Sequence, residues 1–280
     1  MKGLVLEGGA MRGMFTCGVL DVFMEQGITF DGAIGVSAGA TFGCNLKSKQ
    51  IGRAIRYNLR FAKDPRYCSF RSLLKTGDLY NADFCYRQLP DELDIFDRKT
   101  FRENPLEFYL VVTDIESGEP VYFKMKDGEA AELEWMRASA SMPLVSKPVC
   151  IDGHKYLDGG ISDSIPLKYF EKIGYDKNVV ILTQPRNYRK KKSRIQFLMK
   201  LLLAKYPELY KAMKNRPEAY NEQTAYVFEQ ESKGSAFVIC PEESLGISRT
   251  EDNVEELRRV YELGRQTATA KLSAVKKFLT

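Results

Sequence analysis

The sequence predicts an α/β protein built on parallel strands, and three observations carry that prediction. A short apolar run, Leu4-Val5-Leu6, ends at Gly8-Gly9, the pattern of a buried strand bounded by glycines. Between Ala10 and Gln26 the apolar residues Met14, Cys17, Val19, Leu20, Val22 and Phe23 fall mostly at helical spacing, with Gly27 as the stop. A second short strand over Phe30 to Ile34 runs into Gly35-Val36-Ser37-Ala38-Gly39 and a small-residue helix over 40–46. Strand, helix, strand, helix in so short a span is the opening of a parallel sheet with helical crossovers.

The remaining elements follow in order. Residues 51–104 are rich in charge and aromatics with weak helical periodicity, and read as helices and loops, with a lid as their conjectured role. Leu106 to Thr113 is a strong strand, and Pro120 to Met125 pairs with it across the turn Glu116-Ser117-Gly118-Glu119. Ala130 to Ser141 reads as a helix stopping before Pro143, and Pro148 to Leu157 as strand, turn and strand around Asp152-Gly153. Val179 to Thr183 and Ala236 to Cys240 are further strands, and 251–278 is helical, with Thr250 as its expected cap.

Composition narrows the class. At 44% hydrophobic and 28% charged, the 280 residues are neither collagen-like, disordered nor disulfide-dense. Lys plus Arg is 42 against 37 Asp plus Glu, a mild excess of +5 with no basic arm interleaved with aromatics, so nucleic acid is not expected as a partner. The six cysteines include no C-x-x-C pair, which argues against a zinc ribbon or a thioredoxin-type site and for core thiols in a reducing compartment. No signal peptide or membrane span is legible, so the expected location is cytoplasmic, with peripheral membrane contact left open.

The chemistry concentrates in three places. Gly35-Val36-Ser37-Ala38-Gly39 is a G-x-S-x-G pentapeptide at a strand-to-helix passage. A serine at such a sharp turn projects its hydroxyl away from the sheet, and the flanking glycines make room for it. The following helix aims N–H groups at the reacting centre. The loop Gly8-Gly9-Ala10-Met11-Arg12-Gly13 fits neither a dinucleotide fingerprint, because Ala10 stands where the second glycine is required, nor a P-loop. It fits an oxyanion hole, where side-chain-free backbone offers N–H donors to a developing negative oxygen. Arg12 reads equally as a reinforcement of that field and as a surface arginine.

The base is constrained by the histidine count, which is one. His154 follows the turn Asp152-Gly153 and lies four residues before Asp158, about 13 Å away on an extended strand. A Ser-His-Asp triad is therefore not expected, and His154 reads as an exposed turn residue. Asp158, delivered at a strand end before Gly159-Gly160, is the alternative base for Ser37, provided that burial raises its ordinarily low pKa. The competing reading is that Asp158 makes only an Asx-turn or a cap at Gly160.

Taken together, these residues resemble the patatin-like phospholipase family. Gly8 to Gly13, Gly35 to Gly39 and Asp158-Gly159-Gly160 occur in the family's order, and Arg137-Ala138-Ser139-Ala140-Ser141-Met142-Pro143 is similar to its Ala/Ser-rich segment. Ala10 replaces a glycine often found in the loop. The resemblance implies a three-layer α/β/α fold with a mostly parallel central sheet. It also implies a Ser37–Asp158 dyad, an oxyanion loop at 8–13, fatty-acyl lipid esters as substrate, and no metal or cofactor. The motifs fall within residues 3–185, and 1–280 is read as one domain with a helical portion over 186–280. Within that portion the basic run Arg186 to Arg194 precedes an apolar segment, Ile195 to Ala204, read either as an interfacial anchor or as a solvated loop before a packed helix. Acyl transfer to another alcohol is a second enzyme reading. A non-catalytic module binding phosphate or a lipid headgroup at 8–13 and 35–39 is the reading from another class.

Overall fold

A computed structural model describes the backbone of residues 1–192 and 196–280, and the side chains of these residues except 196–198. The central sheet has the strand order β5-β6-β3-β2-β1-β7-β8, with β4 on the free edge of β3. Strand β1 (Lys2–Leu6) lies parallel to β2 (Gly32–Val36) and to β7 (Lys177–Ile181), β2 is parallel to β3 (Glu107–Asp114), and β7 is parallel to β8 (Ala236–Ile239). The antiparallel part comprises β4 (Pro120–Met125), β5 (Val149–Ile151) and β6 (His154–Asp158).

Both faces of the sheet are covered, which explains why β1 is apolar without alternation. Leu4 and Leu6 join one core with α1 (Gly13–Glu25), α2 (Ala38–Lys47) and α10 (Val254–Leu279). Val5 points into a second core with α7 (Leu167–Lys172) and α9 (Pro207–Ser232). The three layers expected from the resemblance are therefore helix, sheet and helix. The C-terminal portion is part of this architecture. β8 extends the sheet beyond β7, and α10 packs so tightly on α1 that a Cβ on Gly264 would lie 2.1 Å from the Phe15 carbonyl oxygen.

The segment read as helices and loops contains α3 (Arg53–Phe61), α4 (Phe70–Thr76), a π-helical stretch over Phe84–Leu93 and α5 (Arg98–Glu103). The expected helix over 130–141 is α6 (Ala130–Ser139). One local expectation is corrected. Asn253 caps α10, its side chain accepting from the Glu255 amide at 3.0 Å, while Thr250 lies three residues too early to reach the first turn. Of the basic run, Ser193 and Arg194 lie outside the described residues, as does Ile195. It leads to α8 (Gln196–Leu202), where Leu201 and Leu202 are exposed. Among the described residues no helix is long and apolar enough to cross a membrane.

Candidate active site

Ser37 ends β2 and opens α2. Its backbone sits at φ 54°, ψ −122°, a conformation that L-residues rarely adopt and that a surrounding structure must enforce. The enforcement is visible at the two motif glycines. A Cβ on Gly35 would lie 2.4 Å from the Gly39 carbonyl oxygen, and one on Gly39 would lie 2.4 Å from the Leu6 carbonyl oxygen. A side chain at Gly39 would push the turn away from β1, and one at Gly35 would push β2 away from the start of α2. The Ser37 amide donates to Ser139 Oγ at 3.0 Å in a buried contact, so the Ala/Ser-rich segment holds the serine from the opposite side.

Strand pairing explains how Asp158 reaches this point. β2 pairs with β3 as far as Val36 opposite Val111. The next residue of β3, Val112, pairs with Asp158 of β6. β4 occupies the other edge of β3, so β6 takes over the edge that β2 leaves at its turn. Ser37 and Asp158 thus become neighbours although they are far apart in sequence. Ser141 accepts from the Asp158 amide at 2.8 Å, and Thr113 Oγ1 donates to the Asp158 carbonyl at 2.9 Å.

The Asp158 side chain does form the Asx-type turn expected as the competing reading, Oδ1 accepting from the Gly160 amide at 2.7 Å. The turn fixes the carboxylate without diverting it from Ser37. Burial pushes the Asp158 carboxyl above its ordinary range, against the opposing pull of Arg216, the Ser37 hydroxyl and the Gly160 amide. The Ser37 hydroxyl is close enough to stabilise the charged form, short of a hydrogen bond of regular geometry. His154, by contrast, is exposed at the far end of β6.

The glycine loop lies against the serine. A Cβ on Gly8 would be 2.9 Å from Ser37 Cβ. Its six residues are not equivalent. The Arg12 amide donates to the Gly9 carbonyl, and the Gly13 amide to the Ala10 and Met11 carbonyls. Among the described residues, Gly8, Gly9, Ala10 and Met11 donate to no backbone acceptor outside regular elements. Gly13 is small because Phe42 and Ala38 pack on it. Glu7 braces the loop from beneath. It is a buried carboxylate that accepts from the Thr183 amide at 2.6 Å and the Tyr220 hydroxyl at 2.7 Å, and burial raises its pKa.

Ser37 borders two cavities. One is apolar, about 860 Å³ with open solvent included, and is walled by Phe42, Tyr57, Tyr86, Leu89, Leu133 and Met136. The other, about 1260 Å³ on the same measure, contains Gly8, Gly9, Ala10, Ser37 and Asp158 together with Arg12, Lys190, Arg216 and Arg249. Gly13, Gly35 and Gly39 line neither. Arg12 is therefore a cavity residue, its Nε shut off from solvent. Glu7, Ser139, Lys190, Arg216, Tyr220 and Arg249 were not singled out as site residues by the sequence. A lone arginine on a charged helix carries no local signal, and Lys190 was legible only as part of a basic run.

Fold and site together define a class, a three-layer α/β/α protein whose small-residue loops converge at the ends of parallel strands. Within it, the chain belongs to the patatin-like phospholipase family, whose model matches residues 4–171. Residues 206–280 match a domain of unknown function, DUF6363. The uncharacterized protein YjjU of Escherichia coli K12 is 30% identical over 288 residues, spanning 99% of this chain and 78% of that protein. The lysophospholipase nte1 of Aspergillus fumigatus is 28% identical over 190 residues, 62% of this chain but 11% of the fungal protein. VipD from Legionella pneumophila superposes with a TM-score of 0.49 at 13% identity, covering 98% of this chain and 67% of VipD. Membership of the family supports lipid acyl hydrolysis as the general activity.

Proposed function

We propose that the protein is a serine acyl hydrolase of fatty-acyl lipid esters, with Ser37 as nucleophile and Asp158 as base. The observation that carries this reading is the convergence of a strained serine and a buried aspartate where β6 replaces β2 on the edge of β3. Ser37 Oγ adds to the acyl carbonyl while its proton passes to Asp158. The developing oxyanion accepts from the uncommitted amides of the 8–11 loop, and the N-terminal end of α2 favours the same negative charge. Collapse expels the alcohol, which takes the proton from Asp158. Water then gives a proton to Asp158 and attacks the acyl-enzyme, and Ser37 recovers the proton as the acid leaves.

The raised pKa of Asp158 makes it a better base than a solvated aspartate. The apolar cavity beside Ser37 is the place for the acyl chain. Leu201 and Leu202, 61% and 58% exposed on α8, which follows the basic run in sequence, support peripheral contact with a lipid surface. The sheet and the α1–α10 contact support the whole chain acting as one unit.

Release of p-nitrophenol from butyrate and octanoate esters tests the dyad. Ser37→Ala and Asp158→Asn are each expected to lower kcat by at least about 10³-fold with unchanged circular dichroism. An Asp158→Asn variant as active as wild type overturns the reading.

A further inference from the structure

The second cavity carries an imbalance of charge that ester hydrolysis alone does not require. Arg12, Lys190, Arg216 and Arg249 line it, against two carboxylates, Glu7 and Asp158. Both carboxylates are already engaged, Glu7 by Tyr220 and Thr183 and Asp158 by the Gly160 amide. Among the described residues none of the four cations forms an ion pair, whereas their neighbours Arg186 and Lys192 pair with Glu231 and Glu218.

Two of the four, both half-buried, each carry a buried nitrogen without an acceptor. The Nε atoms of Arg12 and Arg216 are closed off from solvent and, among the described residues, make no hydrogen bond. Buried polar groups are normally satisfied, so an unpartnered guanidinium in a cavity marks a place for an incoming acceptor. Arg216 is close to the chemistry. A Cβ on Gly160 would lie 3.1 Å from Arg216 Nη2 and 3.0 Å from Asp158 Oδ1, so both groups flank one glycine. Lys190 is held with Nζ 4.0 Å from the Tyr220 ring centroid. Burial lowers the pKa of Arg12, Arg216 and Lys190, and the neighbouring arginines lower Lys190 further, against the opposing pull of Glu7 on Arg12 and Lys190 and of Asp158 on Arg216.

We infer that this cluster binds the phosphate of the substrate, an acyl ester bearing a terminal phosphomonoester, while the acyl chain occupies the apolar cavity and the scissile carbonyl lies at Ser37. The assignment rests on the acyl-hydrolase reading above and adds the substrate class to it. A formal excess of positive charge, four cations against two carboxylates, suits a dianion, and guanidinium forks match phosphate oxygens. A phosphocholine headgroup would bring a quaternary cation into a cavity already lined by cations. Arg216 on α9 and Arg249 before α10 both belong to the C-terminal portion. That portion thereby acquires a task, completing substrate selection at a site whose reacting groups lie in the N-terminal part.

The test compares kcat/KM for 1-acyl-glycerol 3-phosphate, its phosphocholine counterpart and p-nitrophenyl octanoate, in wild type, Arg216→Gln and Arg249→Gln. Titration calorimetry with inorganic phosphate and glycerol 3-phosphate runs alongside. Wild type is expected to prefer the phosphomonoester over the phosphocholine substrate. Each variant is expected to lower the ratio of phosphomonoester to p-nitrophenyl ester activity by roughly 10- to 100-fold and to weaken binding of glycerol 3-phosphate. Active wild type with no preference and no calorimetric signal overturns the phosphate subsite and leaves the hydrolase reading intact. Binding of inorganic phosphate without preference for the phosphate-bearing ester means a free-anion site and overturns the substrate assignment. Phosphate binding that both variants weaken, in a protein that hydrolyses none of the esters, supports the subsite and overturns the hydrolase reading.

Discussion

The two cavities that meet at Ser37 are built in opposite ways. The apolar one takes the largest share of its wall from one stretch of chain, from Arg53 on α3 to Phe96 after the π-helical stretch, closed by Leu133 and Met136 of α6. The cationic one is assembled from distant positions, Arg12, Asp158, Lys190, Arg216 and Arg249. A greasy wall can be supplied by any segment of suitable composition, because apolar burial is non-directional. A charged site needs particular groups at particular distances, which only the completed fold supplies. The two sides of the serine should therefore respond to different perturbations.

The largest effects belong to the reacting pair that both cavities share. Ser37→Ala and Asp158→Asn remove activity toward every ester, whichever cavity dominates its binding. A step below lies Ser139→Ala, which leaves the buried Ser37 amide without its acceptor. It is expected to lower kcat more than it raises KM, and to destabilise the protein by about 1–3 kcal/mol in denaturant titrations. The apolar side is sharpened by Leu133→Trp. Filling the cavity by the equivalent of two methylenes, at about 0.8 kcal/mol each, should lower the ratio of decanoate to butyrate kcat/KM by about tenfold. An unchanged ratio would show that the acyl chain lies elsewhere.

The charged side is sharpened by pH. Asp158 acts as a base only when ionised, and burial raises its pKa. The acid limb of kcat/KM should therefore lie above the ordinary carboxylate range, with rate rising as pH rises through it. Arg216 pulls that pKa down, so Arg216→Gln should move the limb to higher pH. Leu133→Trp should leave the limb in place.

The smallest effect concerns stability. A carboxyl with a raised folded-state pKa favours folding below its unfolded value near 4, and that contribution is lost as pH rises through the folded value. Above that folded value Asp158 is a buried charge, and there Asp158→Asn should melt at or above the wild-type temperature. The gap should close on acidification. A variant that melts lower at neutral pH and higher in acid would reverse the sign.

What the sequence revealed follows the same division. Ser37, Asp158 and the loop after β1 were legible because close backbone approach restricts those positions to glycine neighbours, and that restriction is written in adjacent residues. The strands were legible because a sheet covered on both faces needs unbroken apolar runs such as Leu4-Val5-Leu6. Helix α9 falls in the portion read as helical, but its bounds were not legible, since its charged and aromatic residues and the interior Pro217 mask the periodicity. Arg216 and Arg249 were illegible for a related reason. Nothing local distinguishes them from solvated arginines, and only long-range packing brings them to the cavity. The cap of α10 went to Asn253 instead of Thr250 because a cap is defined to the single residue, finer than spacing resolves.

The most direct measurement of the central claim is labelling with a serine-directed fluorophosphonate, followed by peptide mapping and rate determination. The account predicts one adduct, on Ser37, formed at least about 10²-fold more slowly in Asp158→Asn. An adduct on another residue, or a labelling rate indifferent to Asp158, would contradict it.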